Sequence, residues 1–124
     1  MAAVLAYVAA GLVGLWGVAH AIPTRQVVKG FEPIARDNRL ILTQEWLAEA
    51  FTMWGAAAIL IGVTAIGPEG SGAIDWVYRA SAGLLVGLAI LTALTGTRTP
   101  VIWFKICPVL LTTSAVLLVV ASLA

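Results

Sequence analysis

Apolar residues fill four long stretches of this chain, and most polar residues lie between them. The stretches cover about residues 2–22, 40–66, 76–96 and 100–123. A helix that crosses a membrane needs about 20 consecutive, mostly apolar residues, and each stretch supplies them. The runs are continuous, whereas a transmembrane β-strand alternates apolar and polar positions. The pattern therefore predicts an all-α integral membrane protein, with residues 1–124 forming a single four-transmembrane-helix bundle.

Composition strengthens this prediction and excludes several kinds of site. Hydrophobic residues make up 61% of the 124 residues and charged residues only 10%. A soluble domain needs more polar surface than this. The single cysteine excludes an internal disulfide and any CxxC redox or zinc motif.

Basic residues are distributed unevenly between the two ends of the expected bundle. Six of the seven flank the first and third connections: Arg25, Lys29, Arg36, Arg39, Arg98 and Lys105. Basic residues accumulate in the cytoplasmic connections of membrane proteins. We therefore expect the 23–39 connection to be cytoplasmic and both termini to be extracytoplasmic, in the inner or plasma membrane of the cell.

The first connection, PTRQVVKGFEPIARDN, is the longest polar segment. Val27, Phe31 and Ile34 recur in it at helical spacing, with charged residues between them. An apolar face opposite a charged face is typical of a helix that lies in the membrane interface. We expect a short amphipathic interfacial segment between helices 1 and 2.

Glycines recur within the apolar stretches, where small residues let helices approach closely. Tight packing within the bundle is the simplest role for them. Gly83 and Gly87 form a GxxxG motif in the third stretch. This motif is the place where two copies of the chain could associate.

The second helix carries polar residues where a span should be entering hydrocarbon. Five positions share one face of this helix: Asn38, Glu45, Glu49, Thr52 and Ala56. A carboxylate that faces lipid is costly. We therefore expect this polar stripe to point into the bundle or into a wet cavity.

Other polar and aromatic side chains are expected at the same level. His20 closes the first helix one turn after Trp16, and Lys105 begins the fourth helix from the same side. The expected catalytic residues are Glu49, Glu45 and His20. The expected substrate-binding residues are Lys105, Arg39, Asn38, Thr52, Trp16 and Trp46.

Two carboxyl groups four residues apart on a partly desolvated face do not both ionise cheaply, so such a pair holds a proton donor beside a base. General acid–base catalysis uses this arrangement. We expect Glu49 to donate or accept the proton, with Glu45 as its partner. His20 and Lys105 would orient or polarise the substrate.

Each of these residues also has a structural interpretation. Glu45 lies near enough to the start of the span to be solvated in the interface. Glu49 could form an ion pair with Lys105 or Arg39, and His20 could interact with the dipole at the end of its helix. Lys105 could extend to the headgroups. No metal is expected, because the histidine and the glutamates lack a ligand spacing such as HxxxH.

The length and the four-span plan resemble the small multidrug transporters and the membrane-bound glutathione transferase-like family. The transporters carry an essential glutamate in the first helix, where this chain has none. The glutathione-dependent family has an Arg- and His-rich motif on its second helix. The stretch ARDNRLILTQEW contains two arginines and an asparagine but no histidine. The likeness is architectural and assigns no function.

The expected function is a small membrane-embedded enzyme that performs general acid–base chemistry on an isoprenoid- or sterol-like substrate in the cytoplasmic leaflet. Isomerisation, epoxide opening and protonation-initiated cyclisation all fit without a cofactor. The alternatives are a proton-coupled transporter or exporter that uses Glu49, and an accessory subunit of a membrane complex. The expected partners are a lipophilic small molecule and membrane lipid, and no nucleic acid.

Overall fold

The computed structural model describes residues 1–68 and 70–124. Its α-helices are α1 Ala2–Ala21, α2 Thr24–Lys29, α3 Arg36–Ile66, α4 Gly72–Leu94 and α5 Ile102–Ala121. A short 3-10 helix, Gly96–Arg98, follows α4. Four helical segments are long and apolar enough to cross a membrane. They are α1, α3, α5 and the continuous segment formed by α4 and the 3-10 helix. The predicted all-helical architecture with four such helices is confirmed.

Two helices begin earlier than the apolar runs indicate. α3 begins at Arg36 rather than near residue 40, and α4 begins at Gly72 rather than near residue 76. Each added turn contains an aspartate, Asp37 in α3 and Asp75 in α4. A carboxylate in the first turn interacts favourably with the positive end of the helix dipole. Hydropathy marks the apolar part of a helix and therefore misses such polar first turns.

The long helices form an antiparallel bundle that is incompletely closed on one side. α1 packs between α3 and α5, and α5 packs between α1 and α4. α3 and α4 are consecutive in the chain, yet they contact each other far less than the other neighbours do. Near their connection, the hydroxyl oxygens of Thr64 and Tyr78 lie 2.8 Å apart. Farther along the two helices, a groove separates them.

The core contains many small side chains, and the outer surface carries many large apolar ones. The buried alanines of the core are Ala6, Ala9, Ala10, Ala50, Ala56, Ala57, Ala82, Ala89, Ala115 and Ala121. Large apolar residues on the outer surface include Val4, Leu15, Ile59, Ile90, Val109 and Val116. Small residues between helices and apolar residues all round the outside are typical of helices packed in lipid.

Glycine allows the closest approach of α1 to α3. A Cβ atom at Gly17 would lie 2.7 Å from Nε1 of Trp54, so the indole ring occupies the space that a side chain would need. Packing within the bundle is thus the role of Gly17. The glycines of the GxxxG motif differ, because a Cβ atom at Gly83 or Gly87 would meet nothing within 4 Å. The motif therefore lies on an open face of α4.

Candidate functional site

Most of the charge lies at one end of the bundle. α1 ends, α3 begins, α4 ends and α5 begins there, as contacts of Trp46 with His20 and of Phe104 with Gly96 show. We call it the charged end, and its basic residues are Arg25, Lys29, Arg36, Arg39, Arg98 and Lys105. The candidate site lies within the bundle, next to this end.

Trp46 of α3 holds the imidazole ring of His20 at the end of α1. The two rings are stacked, with centroids 4.1 Å apart and planes 14° from parallel. The indole N–H of Trp46 also donates a 2.8 Å hydrogen bond to the backbone carbonyl oxygen of His20. Carbonyl groups in the last turn of a helix lack partners within the helix. Trp46 therefore caps α1 and fixes the position of the imidazole ring.

Phe104 of α5 completes this aromatic cluster from a third helix. Its ring meets Trp46 edge-on, with centroids 6.1 Å apart and an angle of 81° between the planes. An edge-to-face arrangement is favourable for aromatic pairs at this distance. Trp46 of α3 thus covers one face of the imidazole ring and is itself packed against Phe104 of α5.

Glu49 is the acidic residue that reaches His20. Its Oε2 atom lies 3.4 Å from Nε2 of His20, and the side chains are 33% and 8% exposed, respectively. The two atoms are within ion-pair distance, but Nε2 has no aligned hydrogen-bond partner in the described part of the chain. Most buried polar atoms in folded proteins have such a partner. The buried imidazole nitrogen therefore faces the carboxyl group of Glu49 without an aligned hydrogen bond.

Trp16 links α1 to α5 one turn farther along α1. Its indole N–H lies 3.2 Å from the sulfur of Cys107, which is buried. The expected substrate-binding residue Trp16 thus uses its only donor in a contact between helices. Its side chain packs against the hydrophobic core of the bundle.

Three other expected site residues are not joined to the His20–Glu49 pair by an ion pair among the described residues. Arg39 instead pairs with Glu32, with Nη2 and Oε1 3.2 Å apart. Glu45 and Lys105 are exposed. The structure therefore pairs Glu49 with His20 and not with Lys105 or Arg39.

The polar stripe of α3 changes character along the helix. Asn38 and Glu45 are exposed near the charged end, Glu49 is half-buried, and Ala56 is 8% exposed. The hydroxyl of Thr52 donates a 2.9 Å hydrogen bond to the backbone carbonyl of Ala48. Thr52 and Ala56 both line the groove between α3 and α4. The stripe therefore leads from the charged end into the groove.

The groove has a volume of about 450 Å³ and opens on the outer surface. Its lining is Thr52, Gly55, Ala56 and Ile59 from α3 with Trp76, Val77, Ala80, Ser81 and Leu84 from α4. Glu49 precedes Thr52 by three residues and Ala56 by seven, spacings that place all three on one side of a helix. Glu49 therefore lies one turn from the lining, and its carboxyl group reaches toward His20 of α1.

The sequence did not indicate Phe104 as part of the site. An aromatic residue at the start of an apolar helix is common in interfacial positions, so no local signal distinguishes it. Among the described residues, no group of three or more His, Cys, Asp or Glu side chains is placed to hold a metal ion.

Comparison with protein-family models, with curated proteins and with solved structures gives no match for this chain. The geometry of the His20–Glu49 pair and the groove is therefore the basis for a functional proposal.

Proposed function

We propose that the chain is an integral membrane enzyme in which His20 and Glu49 perform general acid–base catalysis on a lipophilic substrate. One observation carries the proposal. A nine-tenths buried imidazole places a nitrogen that lacks a hydrogen-bond partner among the described residues 3.4 Å from a carboxyl oxygen. Ionisable groups brought together inside a membrane helix bundle are costly and usually functional.

An imidazole and a carboxyl group in contact provide a proton acceptor and a proton donor in one place. In an isomerisation, one of them removes a proton from a substrate carbon and the other returns a proton at a second carbon. The protein then ends with as many protons as it had at the start, and no cofactor is consumed. Glu45, exposed one turn nearer the charged end, would exchange protons between the pair and water.

The proposal places the bundle across the inner or plasma membrane, with the charged end at the cytoplasm. The six basic residues at this end support that orientation. In this arrangement α2 lies in the interface. Its Val28 side chain is buried and α2 packs against α3, whereas Arg25 and Lys29 are exposed.

Hydrogen–deuterium exchange tests the catalytic proposal without requiring a known product. Purified protein in detergent is incubated in heavy water with isoprenoid and sterol-like alcohols, epoxides and alkenes, and deuterium on substrate carbon is measured by mass spectrometry. We expect exchange with the wild type and a loss of about 100-fold or more in Glu49→Gln, because a positioned acid or base contributes about that factor. His20→Phe should show a similar loss, since it keeps a ring beside Trp46 but removes the titrating nitrogens.

Glu45→Gln is the matched control, because it removes a carboxyl group from the same face of α3 at an exposed position. Its effect should be much smaller. Undiminished exchange in a folded Glu49→Gln protein would contradict the proposal. Substrate-linked proton movement in proteoliposomes without any chemical conversion would instead support the proton-coupled transporter.

A further inference from the structure

We infer that the groove between α3 and α4 binds the hydrocarbon chain of a single-chain lipophilic alcohol, whose hydroxyl group reaches Glu49 beside His20. The inference rests on the proposed function and adds the class of substrate and its direction of entry. The alcohol enters sideways from the bilayer, through the side of the bundle that α3 and α4 leave open.

The groove is polar at the end near the charged residues and apolar farther along, which is the order of polarity in an amphiphile. Near the charged end, Glu45 and Glu49 provide carboxyl groups on the side of α3 that leads into the groove. Thr52 follows with a hydroxyl group already bonded to its own helix. Beyond it the lining is apolar except for Ser81. A molecule with one polar end and one hydrocarbon chain matches this order in only one orientation.

The shape of the groove suits a narrow hydrocarbon chain better than a flat molecule. Small residues, Gly55, Ala56 and Ala80, form part of its lining, and the bulkier Ile59 and Trp76 stand beside them. From Thr52 to Ile59 the lining extends for about 10 Å at 1.5 Å per residue. Its volume of about 450 Å³ is in the range of small-molecule sites.

The exposure of the polar pair favours a hydroxyl group as the head. Nε2 of His20 is buried, whereas the side chain of Glu49 is 33% exposed, so the head group contacts the carboxyl group of Glu49 beside the imidazole ring. A hydroxyl group can donate a hydrogen bond to a carboxyl oxygen of Glu49. An ionised phosphate or carboxylate head only accepts hydrogen bonds, so it cannot donate one to that oxygen.

Photochemical labelling tests the inference directly. The wild-type protein in lipid nanodiscs is titrated with a long-chain primary alcohol that carries a diazirine in its chain, and adducts are located by mass spectrometry. We expect saturable labelling of the groove lining on both α3 and α4. Gly55→Leu and Ala80→Leu fill the groove from opposite walls, and each should raise the half-saturating concentration by about tenfold or more, a loss of about 1.4 kcal/mol in binding.

Gly11 provides a matched control. It lies in α1, which contributes no residue to the lining of the groove, and a Cβ atom there would meet nothing within 4 Å among the described residues. Gly11→Leu should therefore leave the labelling unchanged. Labelling that does not saturate, or that responds equally to the groove variants and to Gly11→Leu, would overturn the inference.

Two further outcomes separate this inference from the catalytic proposal. Saturable groove labelling without deuterium exchange on any substrate would overturn the catalytic proposal and leave the binding site in place. Exchange that depends on Glu49 but is insensitive to Gly55→Leu and Ala80→Leu would overturn the groove. A diazirine alkane without the hydroxyl group should bind more weakly, and equal saturable labelling by it would overturn the choice of an alcohol. Protection of the groove by a second copy of the chain, detected as a cross-linked dimer, would also overturn the inference.

Discussion

Replacing Trp46 tests whether this residue holds His20 in place. Trp46→Phe keeps an aromatic ring but removes the indole N–H, which donates the 2.8 Å hydrogen bond to the His20 carbonyl. The net contribution of such a hydrogen bond to the free energy of unfolding is about 0.5–1.5 kcal/mol. Trp46→Leu also removes the 4.1 Å stack with His20 and the 6.1 Å edge contact with Phe104. Each aromatic contact adds about 0.5–1.5 kcal/mol, so Trp46→Leu should lower the free energy of unfolding by about 1.5–4.5 kcal/mol in all.

The assay is reversible unfolding in mixed micelles with increasing sodium dodecyl sulfate, followed by circular dichroism. Trp103→Phe is the matched control, because Trp103 is 63% exposed and should contribute little. A double-mutant cycle of Trp46→Leu with His20→Leu isolates the ring stack, since His20→Leu leaves the carbonyl group that accepts the hydrogen bond. We expect a coupling free energy of about 0.5–1.5 kcal/mol.

The reasoning fails if the coupling free energy is zero within error, or if Trp103→Phe costs as much as Trp46→Phe. Deuterium exchange adds a functional readout. Folded Trp46→Phe should keep most of the activity because a ring still stacks on the imidazole, whereas folded Trp46→Leu should lose much of it. Equal activity in both variants would mean that Trp46 supports only the fold.

Two further predictions concern helix packing and orientation. Gly17→Ala should lower the free energy of unfolding by about 1–3 kcal/mol, because its Cβ atom would lie 2.7 Å from Nε1 of Trp54. Gly11→Ala, where a Cβ atom would meet nothing within 4 Å, should not destabilise the protein in the same micelle assay, and equal losses would refute the packing argument. Reporter fusions at the C-terminus should be extracytoplasmic and fusions near Gly30 cytoplasmic, and the reverse pattern would refute the assigned orientation.

The helices were predictable because a long apolar run has few alternatives to a spanning helix. Their first turns were not, because hydropathy does not register polar residues that stabilise a helix start, such as Asp37 and Asp75. The expected apolar face of the first connection was Val27, Phe31 and Ile34. The structure ends α2 at Lys29, so Phe31 and Ile34 lie beyond this helix, and the residue that α2 buries is Val28. A helix of six residues is too short for periodicity to fix which side packs.

The sequence placed His20 and Glu49 at the same level but did not identify them as a pair. Helix ends fix the depth of a residue, since each residue adds about 1.5 Å along the axis. The partner across the bundle depends on which helices are neighbours and on their rotation. α1 contacts both α3 and α5, so Lys105 of α5 was as reasonable a partner for Glu49 as His20. Packing around Gly17 and Trp54 brings α1 and α3 together and settles the choice.

Depth along the helices also connects the His20–Glu49 pair with the groove. Glu49 lies seventeen residues before Ile66, the last residue of α3, or about 26 Å along its axis. His20 lies eighteen residues after Ala2, the first residue of α1, or about 27 Å. If Ile66 and Ala2 lie at the opposite edge of a hydrocarbon layer about 30 Å thick, as the proposed orientation implies, both side chains fall just inside the near edge, and Glu45 falls at that edge. An alcohol in a bilayer already has its hydroxyl group near that edge and its chain in the hydrocarbon. Such a substrate can therefore enter the groove by lateral movement alone, without turning over or leaving the membrane.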